Sequence, residues 1–113
     1  MKLLMLENHP HFANAVIKEF LHEHDVMVIP TVSDAKTIIT EKSFDLILSD
    51  FDLDDGKGDE FVSYIRSIEI NTPVIAISSH EVGNNKLIAV GANVICSKMK
   101  FKEILAIISS FKI

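Results

Sequence analysis

The sequence predicts an α/β domain built on a doubly wound, five-stranded parallel sheet in the order 2-1-3-4-5, with five helices. Three observations lead there. Short apolar runs alternate five times with stretches of helical period, the pattern of repeated βα units. The runs are nearly continuous in apolar residues, as strands buried on both faces require. The 113 residues, 48% of them hydrophobic, suffice for one core and fall below the size at which cores divide.

Leu3 to Leu6 reads as the first strand. After Pro10, Phe12, Val16 and Phe20 with Ala13, Ile17 and Leu21 form an apolar stripe at helical spacing. Val26 to Ile29 is the second strand, ended by Pro30, and Ser33 is the expected N-cap of a helix that turns Ala35, Ile38 and Ile39 inward. Leu46-Ile47-Leu48 is the third strand, bounded by Asp45 and Asp50, and the loop Asp52 to Gly58 leads to a helix with Phe61, Ile65 and Ile68 on one face. Thr72-Pro73 breaks the chain before Val74-Ile75-Ala76-Ile77. A shorter fourth helix follows, marked by Leu87, Ile88 and Val90 and ended by Gly91. Val94 to Cys96 is the fifth strand, and Phe101, Ile104, Leu105, Ile108 and Phe111 give the closing helix a wide apolar face. Residues 1–113 are thus expected to form one domain, with no linker and no built-in output domain.

No apolar run approaches the roughly 20 residues that span a bilayer. The N-terminal run Leu3 to Leu6 is too short for a signal-peptide core, so a cytoplasmic protein is expected. Cys96 has no second cysteine to pair with and sits in an apolar run, which predicts a packed core thiol. The net charge of −5, without a basic patch, gives direct nucleic-acid binding no electrostatic support.

In the predicted strand order, strands one and three are neighbours and the ligand crevice lies at their carboxyl ends. The strands end in Glu7-Asn8, Ser49-Asp50, Ser78-Ser79 and Ser97-Lys98. Carboxylates, hydroxyls and an ammonium therefore converge. A carboxylate can attack phosphorus to form an aspartyl phosphate, and Asp50 is the candidate nucleophile. Mg²⁺ takes hard oxygen ligands, and Glu7 and Asp50 can supply them together with Asn8 and a loop carbonyl. Charge on a transferring phosphoryl group calls for a cation and a hydroxyl already in place, and Lys98 and Ser78 are of those types.

These residues carry a resemblance. Leu6-Glu7-Asn8-His9-Pro10, Phe44 to Asp50, Asp54 to Glu60, Pro73 to Ser78, and Gly91-Ala92 with Lys98 together make the chain resemble bacterial response-regulator receiver domains over essentially its full length. The resemblance implies a flavodoxin-like receiver fold and a place in a two-component phosphorelay. It implies Asp50 as phosphoacceptor, Glu7 and Asn8 at the acid-pair positions, Ser78 as switch hydroxyl, Lys98 as phosphate-binding ammonium and the Asp52 backbone carbonyl as a Mg²⁺ ligand. It further implies that Asp52 and His80 tune phosphoryl loss. The implied partners are a histidine kinase or histidine phosphotransfer protein upstream and an unknown protein downstream, without membrane or nucleic acid. The implied chemistry is self-phosphorylation and self-dephosphorylation rather than turnover.

Three positions depart from the family pattern. Asn8 stands at the second acid position, which keeps an oxygen but loses a charge and weakens Mg²⁺ by roughly 1 to 2 kcal/mol, about tenfold. Met99 follows Lys98 where a proline is common, so a trans bond and a different loop are expected, since a cis bond there costs ~3 kcal/mol. Ile95 replaces the aromatic residue that swings inward in many members. These departures raise an alternative, a degenerate receiver that binds a partner without phosphorylation. Asp50-Phe51-Asp52 also resembles the start of haloacid-dehalogenase-type phosphatases, but two βα units precede it here. An EF-hand reading of Asp50, Asp52 and Asp54 fails at Asp55 and Phe61, where Gly and Glu are needed.

Overall fold

A computed structural model of the chain describes residues 1–111, so the last two residues of the expected 1–113 domain lie outside it. The elements, in order, are β1 (Lys2–Leu6), α1 (Pro10–Phe20), β2 (Asp25–Ile29), α2 (Val32–Glu41), β3 (Leu46–Ser49), β4 (Asp52–Leu53), β5 (Gly56–Lys57), α3 (Gly58–Ser67), β6 (Val74–Ala76), α4 (Glu81–Ala89), β7 (Val94–Ile95), a 3₁₀ segment (Lys98–Glu103) and α5 (Ile104–Ser109). The main sheet runs β2-β1-β3-β6-β7, with every pairing parallel. In chain order of its own strands this is 2-1-3-4-5, as expected, and the architecture is the flavodoxin-like fold.

Alternate strand residues face opposite sides of a sheet, and the core divides accordingly. Leu4, Leu6, Ile47 and Ala76 pack under Ala35 and Ile39 of α2, Phe61, Val62 and Ile65 of α3, and Leu87 of α4. Leu3, Met5, Leu48, Ile75 and Ile77 pack under Ala13 and Val16 of α1 and Ile104 and Ile108 of α5. Cys96 lies in this second core, as expected, and burial raises its thiol pKa to about 11.

Several local expectations are corrected. The N-cap of α2 is Thr31, whose hydroxyl accepts from Asp34 N at 3.1 Å; Ser33 is inside the helix. The start lies earlier because the Asp55 carboxylate, from the loop after β3, accepts the amides of Val32 at 2.6 Å and Ser33 at 3.0 Å. Those two amides hold the Asp55 carboxyl below its ordinary range. Ile68 stands at the C-cap of α3, past its last turn, and is exposed, while Phe61, Val62 and Ile65 of this helix are buried. Ile88 and Leu105 are likewise exposed, because the sheet covers only part of each short helix. The segment expected as a loop from Asp52 to Gly58 holds a small antiparallel hairpin, β4 with β5.

Gly91 ends α4 as expected, with φ of +119°. A side chain there would also meet Arg66, whose guanidinium donates to the carbonyls of Ile70, Thr72 and Gly91 and to Asn93 Oδ1. One arginine thus ties the turn before β6 to the turn before β7.

Candidate functional site

The ladder bonds of the sheet position the site. Glu7 N donates to Ile29 O at 3.0 Å, and Asp50 N donates to Leu6 O at 2.9 Å, so both carboxylates leave the sheet from adjacent strand ends. Ile77 N donates to Ser49 O at 2.9 Å, which places Ser78 at the next strand end; Cys96 N donates to Ala76 O at 2.8 Å, two residues before Lys98.

Glu7 is 2% exposed and Asp50 5% exposed. Carboxylates are seldom buried so deeply without a counter-ion, and Lys98 supplies it. Its ammonium is 2.8 Å from Asp50 Oδ2 and 2.8 Å from Glu7 Oε1. Burial draws the Lys98 pKa down, but the bonds to Asp50 and Glu7 outweigh it and the net shift is upward. The ammonium also lies 4.6 Å from the Phe12 ring centroid, a cation–π contact that closes its far side.

The remaining oxygens divide their partners. Asp50 Oδ1 accepts the Phe51 amide at 2.7 Å. Glu7 Oε2 accepts the His9 amide at 3.1 Å and lies 2.9 Å from His9 Nδ1. Asn8 Nδ2 donates to Asp54 Oδ1 at 3.2 Å, while Asn8 Oδ1 is buried with no hydrogen-bond partner among the described residues. Ser78 Oγ accepts the His80 amide at 3.1 Å, which leaves its O–H free to donate elsewhere. The buried Asn84 side chain holds Ser78 in place: its Oδ1 accepts Ser78 N at 2.9 Å and its Nδ2 donates to Ser78 O at 2.8 Å. The Asp52 side chain turns outward to pair with Lys57, and that ammonium keeps its carboxyl below the usual range.

Two glycines set the closest approaches. A Cβ on Gly58 would lie 2.0 Å from Asp50 O, so only glycine lets the start of α3 pass the end of β3. A Cβ on Gly83 would lie 2.9 Å from Phe51 Cβ and 3.1 Å from Ser78 Oγ, which places Phe51 and Ser78 around one residue of α4.

The structure therefore brings Glu7, Asp50 and Lys98 into direct contact and sets Asn8 and Ser78 on the neighbouring strand ends. Met99 is 80% exposed, and no described peptide bond is cis, so the bond after Lys98 is trans, as expected. Ile95 is 38% exposed. His9, Asp54 and Gly58 lie in segments that carry the resemblance but have no site role assigned from sequence, and the sequence alone does not name Gly83 or Asn84 as parts of the site. The donor set fits a divalent cation. Glu7, His9 and Asp50 each offer a ligand atom, and these lie within 4.8 Å of one another. The buried, unpartnered Asn8 Oδ1 adds a neutral oxygen.

Comparison with known proteins agrees with this geometry. The family model described as the response regulator receiver domain matches residues 3–109. No curated protein matches the chain significantly. Among solved structures, the Francisella response regulator 1452 receiver domain superposes with a TM-score of 0.86 at 20% identity, covering 97% of this chain and 94% of that one. TrrA from Thermotoga maritima, solved in complex with Mg²⁺ and BeF, gives 0.86 at 16% identity over 98% of both chains. The receiver domain of the sensor histidine kinase PA1611 from Pseudomonas aeruginosa, with magnesium coordinated in its active-site cleft, gives 0.85 at 22% identity over 97% of this chain and 95% of that one. Among the described residues no helix is long and apolar enough to cross a membrane.

Proposed function

The chain belongs to the response regulator receiver domain family, and we propose that it accepts a phosphoryl group on Asp50 from a histidine kinase or histidine phosphotransfer protein and passes the signal on by protein contact. The observation that carries this reading is the buried Glu7–Lys98–Asp50 contact, with one ammonium 2.8 Å from each carboxylate. Maintaining two buried carboxylates for structure alone is unfavourable, since apolar residues of similar volume generally serve stability better.

In this reading an Asp50 carboxylate oxygen attacks phosphorus, the bond from phosphorus to the donor atom breaks, and the donor leaves with the electron pair. The Phe51 amide on Asp50 Oδ1 fixes the carboxylate plane during the attack. Lys98 lies beside Asp50 Oδ2 and meets the charge on the equatorial phosphoryl oxygens. Ser78, held by Asn84 through both its amide and its carbonyl, donates its hydroxyl to one of those oxygens. Magnesium held by Glu7, Asn8 Oδ1, Asp50 and the Asp52 carbonyl would neutralise further charge there. Asp52 and His80 border the mouth and set how readily water reaches the phosphoryl group. The chemistry is one phosphorylation and one hydrolysis per signal rather than turnover of a free substrate.

The test is a ¹H–¹⁵N spectrum of the protein titrated with beryllofluoride and Mg²⁺, a phosphoryl mimic. Shifts centred on Phe51, Ser78, Asn84 and Lys98 are expected. A spectrum unchanged at saturating mimic would contradict the proposal and leave a module that binds partners without phosphorylation.

A further inference from the structure

Glu7 divides its two oxygens between two neighbours. Oε1 faces the Lys98 ammonium at 2.8 Å, while Oε2 is shared by the His9 amide and His9 Nδ1. A cation can therefore enter on the Oε2 side without displacing Lys98. On that side His9 offers an imidazole nitrogen, and the residue between Glu7 and His9 is a neutral asparagine. The 2.9 Å between His9 Nδ1 and Glu7 Oε2 lets one ion reach both atoms after a small opening, since two ligands about 2.05 Å from a tetrahedral centre are about 3.4 Å apart. Asp50 offers its own oxygen within 4.8 Å of both, and Asn8 Oδ1 is buried without a hydrogen-bond partner among the described residues.

Building on the reading that this pocket holds a cation, we propose that His9 Nδ1 joins Glu7 and Asp50 as a metal ligand, making a mixed nitrogen–oxygen site that prefers a borderline transition ion of the Zn²⁺ or Co²⁺ class over Mg²⁺. Magnesium demands hard oxygens and is usually held by carboxylates, so the loss of a charge at Asn8 weakens it. Imidazole suits zinc, nickel and cobalt, and their higher intrinsic affinity compensates for the neutral asparagine oxygen. The His9 side chain is 65% exposed, so its other ring nitrogen, Nε2, meets solvent and can carry the ring proton while Nδ1 ligates.

The experiment titrates tag-free protein with Zn²⁺ and separately with Mg²⁺ by calorimetry, for the parent, His9→Ala and Glu7→Gln. Long-range ¹H–¹⁵N spectra of the imidazoles accompany the parent titration. The expected result is Zn²⁺ binding at least tenfold tighter than Mg²⁺ in the parent. In His9→Ala, Zn²⁺ should weaken tenfold or more, because even outer-shell partners are worth about 10–100-fold, while Mg²⁺ changes less than twofold. In Glu7→Gln both ions should weaken, and in the parent the His9 Nδ1 resonance should move in step with Zn²⁺. Unchanged Zn²⁺ affinity in His9→Ala, equal loss of both ions in that variant, or a His9 Nδ1 resonance that stays fixed while Zn²⁺ saturates His11 or His80 would each overturn the assignment. Neither readout involves a phosphodonor. A parent that ligates Zn²⁺ through His9 but takes no phosphoryl group refutes only the proposed function, and the converse result refutes only this inference.

Discussion

Replacing Lys98 by Met removes the ammonium and keeps most of the side-chain volume packed against Phe12. The two carboxylates it bridges, 2% and 5% exposed, then face one another with no counter-ion. With their nearest ligand atoms within 4.8 Å, two unit charges at an effective dielectric constant of about 20 repel by about 3 kcal/mol. Breaking a buried ion pair from one side typically costs about 3–5 kcal/mol, in the same range. The assay is urea unfolding followed by circular dichroism at pH 7.5 with chelator present, where Lys98→Met should lose about 3 kcal/mol. Mg²⁺ should restore part of the loss by standing in for the ammonium. A loss under about 0.5 kcal/mol at pH 7.5 would refute the claim that Lys98 neutralises this pair.

Other expectations follow from the same coordinates. Gly58→Ala forces a Cβ to within 2.0 Å of Asp50 O and should cost about 2 kcal/mol or more by urea unfolding; a variant as stable as the parent would show that α3 can shift freely. Arg66→Met strips donors from the carbonyls of Ile70, Thr72 and Gly91 and should cost about 2 kcal/mol in the same assay. Cys96, with its thiol at about 11 against an ordinary 9.0, should react with a thiol reagent at pH 8 roughly 100-fold more slowly in the folded protein than in urea, from thiolate fraction alone. Because folding favours the neutral thiol, its contribution to stability is complete below pH 9 and is lost as pH rises toward 11; Cys96→Ala should flatten that part of the stability profile.

What the sequence made legible is what periodicity and strand ends encode. Strand order 2-1-3-4-5 followed from apolar runs, and the crevice residues Glu7, Asp50, Ser78 and Lys98 followed from where those runs stop. The contacts that hold the site in shape were not legible, because they join elements far apart in the chain. Thr31 and Ser33 are both N-cap residue types, and the choice of Thr31 is set by Asp55, which accepts the Val32 and Ser33 amides from 23 and 22 residues away and which nothing local distinguishes from a solvated loop acid. Asn84 lies in a helix of weak amphipathic pattern, where a buried asparagine leaves no periodic signal. Gly58 and Gly83 could have been suspected, since glycine just inside a helix is unfavourable and asks for a reason of close approach. Ile68 and Leu105 misled because helical spacing gives the apolar stripe but not where the sheet beneath it ends.

The central claim is that Asp50 takes a phosphoryl group, and intact-mass measurement after incubation with acetyl phosphate and Mg²⁺ tests it most directly. A single phosphoryl-sized gain in the parent, absent from Asp50→Ala, is the predicted result. No gain in the parent at high Mg²⁺, or the same gain in Asp50→Ala, would contradict it.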